Sequence, residues 1–240
     1  MRRHLLRAVL LATVAALAAC DSKDSNPTTP SPTVSSVSIS PATDFLKLKA
    51  QERFTLTAQL STGATEQVTA TWGSDNTAVA TVDSGGLVTA VGVGAATISA
   101  EYQGRRATRS IRVLPDYAGL WVGDFFVASC EVQPPLPGSF CNPILRTTFP
   151  ARLDIVQTSN VVSGTWTLQE DATGTVTGDI LDNGHLRLTG SVFLGGVTTS
   201  ISDWDSVTSD NQTMTGGFTL NWSAAGGAAR TRVELRNFRR

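Results

Sequence analysis

Short runs of alternating apolar and polar residues recur along most of this chain, and they restrict its fold more than any other feature of the sequence. A period of two places successive side chains on opposite faces of an extended strand, and the Thr and Val of these runs suit a β-sheet surface. In the first half the runs cover residues 37–39, 54–60, 79–82, 87–88, 96–98 and 111–113. Short strands at this spacing over about 80 residues predict a β-sandwich.

The second half of the chain carries a longer series of such runs. They cover residues 119–123, 153–155, 162–168, 176–180, 186–192, 197–207, 214–222 and 233–235, with apolar residues or Gly on one face of each. The Asn183-Gly184 pair is of the kind that type I′ hairpin turns prefer. Because consecutive hairpins have two edges to hide, we predict that residues 116–240 close into an antiparallel up-and-down β-barrel of about eight strands rather than a second open sandwich. The predicted fold class is therefore all-β.

Composition and charge limit the classes of partner. Hydrophobic residues make up 41% of the 240 residues, which excludes wholesale disorder. The formal net charge is -1, but three of the 19 basic residues precede residue 19, so the remaining 16 face 20 acidic residues and leave a net charge of about −4. Nucleic acid is not an expected partner. Five arginines crowd the C-terminal end, where we expect an outward strand face and a solvated tail rather than a site for phosphates or anionic lipid: Arg230, Arg232, Arg236, Arg239 and Arg240.

The N-terminal segment has the pattern of an export signal. Residues 1–7 are basic and residues 8–19 form an apolar run that is too short to span a bilayer, as in the h-region of a signal peptide. The stretch Leu17-Ala18-Ala19-Cys20 resembles the lipobox of bacterial lipoproteins. The resemblance implies that residues 1–19 are removed and that Cys20 carries the acyl chains that anchor the chain in a membrane. The alternative is an ordinary signal peptide with Cys20 incidental.

A polar linker follows the cysteine. Residues 21–33 contain no apolar residue other than three prolines, so they predict an extended spacer of about 3 Å per residue. The implied location is the bacterial cell envelope, either the outer membrane or the periplasmic face of the inner membrane. Asp21, directly after the lipidated cysteine, leaves the choice of membrane open.

Four motifs in residues 34–115 resemble the bacterial Ig-like group 2 (BIG2) pattern in order and spacing. They occupy residues 71–75, 79–82, 86–90 and 94–98. The resemblance implies an Ig-like sandwich in which Trp72 is a core or half-core aromatic and Gly86 and Gly94 permit turns that a Cβ would bar. Members of the family occur in adhesins and cell-surface enzymes as spacers or binding modules, and we favour the spacer role here.

The second half resembles a different family. Gly119-Leu120-Trp121 and Gly164-Thr165-Trp166 are similar to the Gly-x-Trp starts of calycin-type barrels, the lipocalins and avidins. The resemblance implies a barrel that could hold a ligand, with Trp121, Trp166 and Trp222 as candidate lining residues. The alternative is that these indoles fill a core, because a small barrel must occupy its own interior. The polar residues with which avidins bind biotin have no counterpart here, so that chemistry does not carry over.

Cys130 and Cys141 remain after lipidation, and they flank the proline-rich residues 131–140. In an oxidising compartment such a pair predicts a disulfide, which would stabilise the fold by about 3 kcal/mol. Two cysteines with no nearby histidine make a poor metal site. We therefore expect no metal and no cofactor.

Catalytic motifs are absent from the sequence. The mature chain has one histidine, His185, which we expect in water at a hairpin end, and it has no Gly-x-Ser-x-Gly, His-Glu-x-x-His or phosphate-binding loop. Asp203 and Asp205 would share one strand face, where they could form a carboxylate pair or a weak Ca²⁺ site, although a solvated face is favoured.

These observations favour a non-enzymatic cell-envelope lipoprotein. Its Ig-like domain would be a spacer that presents the barrel to a surface glycan or protein. A lipocalin-like carrier of a small apolar ligand and a surface hydrolase are the alternatives. We predict a largely filled barrel with at most a shallow pocket at its mouth.

Overall fold

The structure is a computed structural model, and it describes residues 31–169, 172–224 and 227–240. These residues form eighteen β-strands and one 3₁₀ turn at Gly138–Cys141. The predicted signal segment 1–19, Cys20 and the first part of the linker lie outside the described residues. No helix among the described residues is long and apolar enough to cross a bilayer.

The first ten strands build the predicted Ig-like sandwich. They are β1 (Val34–Ser40), β2 (Phe45–Lys47), β3 (Gln51–Arg53), β4 (Thr55–Leu60), β5 (Thr65–Val68), β6 (Thr71–Ser74), β7 (Ala80–Val82), β8 (Leu87–Ala90), β9 (Gly94–Tyr102) and β10 (Arg105–Leu114). Their sheet orders are β1-β4-β5, β2-β10-β9-β6 and β3-β8-β7. The all-β sandwich expected from the alternating runs is confirmed.

Alternate residues of these strands form a core of their own. Phe54, Leu56, Ile98 and Ile111 are fully buried in it. Gly86 adopts φ +80°, and a Cβ there would collide with the backbone carbonyl oxygen of Phe54. A residue without a Cβ is therefore required at this turn, as the BIG2 resemblance implied.

The last eight strands close into a barrel. They are β11 (Gly119–Gln133), β12 (Thr148–Thr158), β13 (Val161–Leu168), β14 (Ala172–Ile180), β15 (Leu186–Leu194), β16 (Val197–Val207), β17 (Thr213–Ala224) and β18 (Gly227–Arg239). Each strand is antiparallel to the next, and β18 returns to pair with β11. The described residues thus confirm the predicted up-and-down barrel of eight strands.

Aromatic side chains fill the middle of the barrel. Trp204 and Phe218 stack with ring centroids 4.7 Å apart, and Trp166 stands perpendicular to Trp204 at 5.2 Å. Phe238 stacks on the other side of Trp166. All four are almost completely buried, so the centre of the barrel is a packed core.

Glycines on the inward face allow the wall to curve sharply. A Cβ at Gly174 or Gly178 would strike the backbone carbonyl oxygen of Ser191 or Arg187 on the neighbouring strand β15. Such close approach of two strands requires glycine and bends the sheet toward closure. The glycines found on the same face as the apolar residues in these runs therefore have a structural role.

The up-and-down order gives the barrel two distinct ends. We call the end with the start of β11 and the β12–β13, β14–β15 and β16–β17 turns the proximal end. The distal end carries the long β11–β12 connection, the β15–β16 turn and the β13–β14 and β17–β18 connections. β10 of the Ig-like domain ends at Leu114 and β11 begins at Gly119, so only four residues separate the Ig-like domain from the barrel at the proximal end.

Residues Thr33–Arg240 form one compact unit. Leu114 belongs to the hydrophobic core of the barrel, and Phe45 of strand β2 packs against that core. Both hydrophobic cores and all the described strands lie within this unit. A chain of residues 31–240 therefore contains every element that the described fold needs.

Candidate functional site

Tyr117 closes the proximal end of the barrel. Its side chain is fully buried, and its hydroxyl donates to the carbonyl oxygen of Gly184 at 2.8 Å and accepts from the backbone N–H of Thr208 at 3.2 Å. Burial raises the pKa of the Tyr117 phenol, an effect that the Thr208 N–H partly offsets, so the group stays protonated and can donate. One side chain thus joins the β14–β15 turn to the end of β16.

Polar contacts attach the Ig-like domain to this proximal end. The Asn211 side chain accepts from the Asp116 N–H at 3.1 Å and donates to the carbonyl oxygen of Leu48 at 3.3 Å. The Asp116 carboxylate lies 2.8 Å from Lys47 Nζ and 3.4 Å from an Arg240 guanidinium nitrogen. Burial would raise the pKa of Asp116, but the hydrogen bonds from Lys47 and Ala118 and the two positive charges outweigh it and lower that pKa. The proximal end is therefore sealed.

A disulfide organises the distal end. Cys130 on β11 and Cys141 at the end of the 3₁₀ turn are bonded, as predicted, with a sequence separation of 11. The cross-link ties the proline-rich loop to the barrel wall. Phe140 and Ile144, on either side of Cys141, thereby lie over the barrel mouth.

Two adjoining cavities open under this loop. The inner cavity has a volume of about 220 Å³ and the outer about 460 Å³. Ile144, Gly195 and Trp222 line both of them, so they form one continuous recess, which we call the mouth pocket. The remaining wall of the inner cavity is Phe125, Val127, Phe149, Gln169, Leu194, Leu220 and Thr231. That of the outer cavity is Leu136, Pro137, Ser139, Phe140, Pro143 and Val197.

The chemistry of the mouth pocket is strongly apolar. Among the described residues that line it, none carries a charge. Trp222 donates its indole N–H to Thr231 Oγ1 at 3.2 Å. The rings of Trp222 and Phe140 make an edge-to-face contact, with their centroids 5.9 Å apart. The polar atoms of Trp222 and Thr231 are thus bonded to each other, and the pocket offers a ligand mainly apolar surface.

The three tryptophans predicted to line a ligand site lie at different heights. Trp121 is fully buried near the proximal end, where its indole N–H donates to the Tyr117 carbonyl oxygen at 2.7 Å. Trp166 is fully buried in the central core. Trp222 alone of these three borders the mouth pocket. Sequence reasoning missed Phe140 and Ile144, although an apolar residue inside the loop closed by two cysteines and another directly after it were a usable signal.

The candidate catalytic residues have other partners. His185 Nδ1 lies 2.6 Å from Asp205 Oδ1, so the side chain is hydrogen-bonded rather than simply solvated at its hairpin end. A β-bulge between Ser202 and Asp205, with Asp203 at φ +50°, separates the two aspartates. Asp203 pairs with Arg230 at 2.7 Å and Asp205 with Arg187 at 3.2 Å. The two carboxylates therefore pair with arginines on different strands, β18 and β15, instead of forming the carboxylate pair that the i, i+2 spacing allowed.

Metal ligands and basic residues are likewise dispersed. Within the described residues, no group of three or more His, Cys, Asp or Glu side chains could hold a metal ion. Of the C-terminal arginines, Arg230 pairs with Asp203, Arg236 with Glu234 at 3.3 Å, and Arg240 with Asp116. These ion pairs offset the positive charge of the last strand.

Comparison with known protein families identifies the first domain. Residues 33–104 match the family model of the bacterial Ig-like domain (group 2), as the four motifs predicted. This segment is therefore a bacterial Ig-like domain, which indicates an extracellular or cell-surface bacterial protein with a surface or structural role. The matched residues cover less than half of the chain and end before the barrel begins.

Comparison with complete proteins and structures adds less. No curated protein matches the chain. Two structures of the surface layer protein SbsC match, each with a TM-score of 0.33 and 14% sequence identity. The match to domains 4–9 covers 86% of this chain and 27% of that chain. The match to domains 5–6 covers 84% of this chain and 97% of that chain. This chain spans about a quarter of the first of these structures.

Proposed function

We propose that this protein is a non-enzymatic lipoprotein of the bacterial cell envelope, in which the Ig-like domain is a spacer and the distal end of the barrel is the contact surface. The membrane would be bound through acyl chains on Cys20. The partner at the distal end would be a molecule of the cell surface, such as a glycan or a protein. The observation that carries this proposal is the difference between the two barrel ends, one sealed by the spacer and the other open and apolar.

The short connection between the modules supports a spacer role. A spacer transmits position only if it is fixed to what it presents. Here Asn211, Asp116 and Lys47 link the Ig-like domain to the barrel, and Leu114 of β10 is part of the barrel core. Apolar packing restricts the relative motion of neighbouring domains most, and Leu114 together with Phe45 supplies it here.

The chemistry around His185 supports a non-catalytic assignment. A hydrolase of the serine or cysteine type would need a hydroxyl or thiol in hydrogen-bond reach of the histidine. The described hydrogen bonds of the His185 ring reach Asp205 alone. A two-carboxylate mechanism would need Asp203 and Asp205 to face one another, and each instead bonds to an arginine on a different strand.

The packing of the barrel centre argues against the alternative of a lipocalin-like carrier. A lipocalin-like carrier holds its ligand deep in the barrel, at the height that Trp166, Trp204 and Phe218 occupy here. The dense aromatic core at that height favours contact at the mouth over storage in the centre. Trp121 and Trp166 are then core residues, and Trp222 is the candidate contact residue.

Fatty-acid labelling tests the anchor. Cells that express the full chain are grown with a labelled fatty acid, and incorporation is compared with that of Cys20→Ser and of the neighbouring control Ser22→Ala. We expect Cys20→Ser to abolish incorporation and to accumulate as unprocessed precursor, while Ser22→Ala behaves as the original chain. Equal labelling of all three chains would contradict the lipoprotein proposal.

A further inference from the structure

We propose that the mouth pocket is a binding site for a small, uncharged, single-ring molecule, aromatic or alicyclic, that inserts its ring beneath Trp222 and Ile144. The proposal deepens the proposed function, because it rests on the distal end being the contact surface. It names a ligand class for that end.

Volume sets the size of the ligand. Apolar cavities of about 150 Å³ in proteins bind benzene. The inner cavity, at about 220 Å³, can therefore hold one ring with a short substituent. Longer chains cannot pass below it, because the stacked Trp204 and Phe218 fill the barrel centre.

The wall sets the polarity of the ligand. Phe125, Phe149 and Leu194 surround the inner cavity, and the Trp222 N–H already has Thr231 Oγ1 as its acceptor. A charged ligand would lose its hydration and find no oppositely charged side chain among the described lining residues, which costs several kcal/mol. An uncharged ring gains apolar contact and has no charge to remove from water.

The outer cavity sets the orientation of the ligand in the mouth pocket. Ser139 lines its wall, and Gln169 lines the inner cavity. A polar substituent on the ring would point outward past Phe140, toward water and these side chains. The ring itself would occupy the inner cavity.

Nuclear magnetic resonance of residues 31–240 can test this directly, because all five tryptophans lie in that segment and each gives one indole N–H signal. Toluene is the probe, and benzoate, with the same ring and a negative charge, is the matched control. We expect toluene to shift the Trp222 signal saturably and to leave the Trp121 and Trp166 signals in place. Benzoate should bind at least tenfold more weakly.

Two variants locate the site. Ile144→Trp fills the point at which the two cavities meet, and we expect it to weaken toluene binding at least tenfold. Val156→Trp adds the same side chain on the outer wall, where Val156 is 64% exposed, and should leave the affinity unchanged. If Ile144→Trp does not fold, nuclear Overhauser contacts between toluene and the Ile144 and Leu194 methyl groups of the original chain give the same answer.

Three results would overturn the proposal: no saturable shift of the Trp222 signal up to the solubility of toluene, shifts centred on Trp121 or Trp166, or equal binding of benzoate. The labelling experiment on Cys20 does not depend on any of these outcomes. If the protein incorporates fatty acid but does not bind toluene, the lipid anchor is supported and the proposed binding site is not. If the protein binds toluene but incorporates no fatty acid, the binding site is supported and the lipid anchor is not.

Discussion

The two ends of the barrel are made from the same kind of hairpin, yet they are stabilised by different means. The proximal end is held by hydrogen bonds and ion pairs around Tyr117, Asp116 and Asn211. The distal end is held by a disulfide and by apolar contacts around Trp222 and Phe140. The first arrangement gives Tyr117, Asp116 and Asn211 polar partners within the protein, and the second leaves apolar surface facing a recess.

The difference shows how a closed barrel can be a support at one end and a receptor at the other. A buried hydrogen-bond network has few alternative arrangements, so it fixes the position of the neighbouring domain. An apolar pocket under a cross-linked loop tolerates different occupants, since dispersion contacts are not directional. Changes at the proximal end should therefore alter stability, while changes at the distal end should alter stability and binding together.

Removal of the distal cross-link should have the largest effect. The double variant Cys130→Ala with Cys141→Ala frees a loop of 11-residue separation, which should lower the free energy of unfolding by about 3 kcal/mol in urea titrations of residues 31–240. The same variant should weaken toluene binding, because Phe140 and Ile144 lose their fixed position over the mouth.

Reduction of the original chain with dithiothreitol is the control, since it opens the same loop without a substitution. It should reproduce both losses. A change in stability of less than about 1 kcal/mol in both experiments would mean that apolar packing alone holds the distal end.

Removal of one hydroxyl at the proximal end should have an intermediate effect. Tyr117→Phe leaves the Thr208 N–H and the Gly184 carbonyl oxygen buried without this partner, which should cost about 1–3 kcal/mol. The other tyrosine supplies a matched control: the Tyr102 hydroxyl accepts a hydrogen bond from Gln103 near the surface, and Tyr102→Phe should change stability by less than about 0.5 kcal/mol. Toluene binding should be unaffected in both variants. Equal stability of the two variants would show that the network around Tyr117 does not stabilise the proximal end.

Acid should weaken the proximal end through Asp116. The pKa of Asp116 is lowered in the folded protein, so its contribution to stability is present above the unfolded pKa of about 4 and is lost as the pH falls through the folded pKa. We expect Asp116→Asn to lower the urea midpoint at pH 7 modestly and to have progressively less effect below about pH 4. Asp179→Asn, on the exposed outer face of β14, is the control and should leave the midpoint unchanged at both pH values. A destabilisation by Asp116→Asn that is the same at pH 3 and pH 7 would exclude this charge effect.

Period-two alternation was sufficient to predict most of the architecture. It located all eight barrel strands and the longer strands of the Ig-like domain, because each of those strands contains a run in which apolar and polar residues alternate. The short strands β2 (Phe45–Lys47), β3 (Gln51–Arg53) and β5 (Thr65–Val68) were missed. The sequences of these three strands, FLK, QER and TEQV, show no alternation of apolar and polar residues, so their pairing with neighbouring strands decides that they form.

Local exceptions to regular geometry were also invisible in the sequence. The spacing of Asp203 and Asp205 predicted a common face, and the β-bulge at Asp203 placed them with different partners. At the Asn183-Gly184 turn only Gly184, of these two described residues, has a positive φ, so the turn is not the type I′ form that this pair prefers. The carbonyl oxygen of Gly184 instead accepts a hydrogen bond from Tyr117 within the barrel. A Cβ at Gly184 would meet Val93 of the Ig-like domain, a contact that exists only once the two domains have come together.

The sequence by itself determined which face of each strand points inward, which cysteines could bond in an oxidising compartment, and which segment is a bacterial Ig-like domain. These properties depend on residue type and on spacing of a few residues. The tertiary structure decided the height of each inward residue along the barrel axis. Trp121, Trp166 and Trp222 share the same inward phase, yet they lie near the sealed end, in the packed centre and at the open mouth. Height depends on the register between strands far apart in the chain and on which end another domain covers, and neither is written in a local pattern.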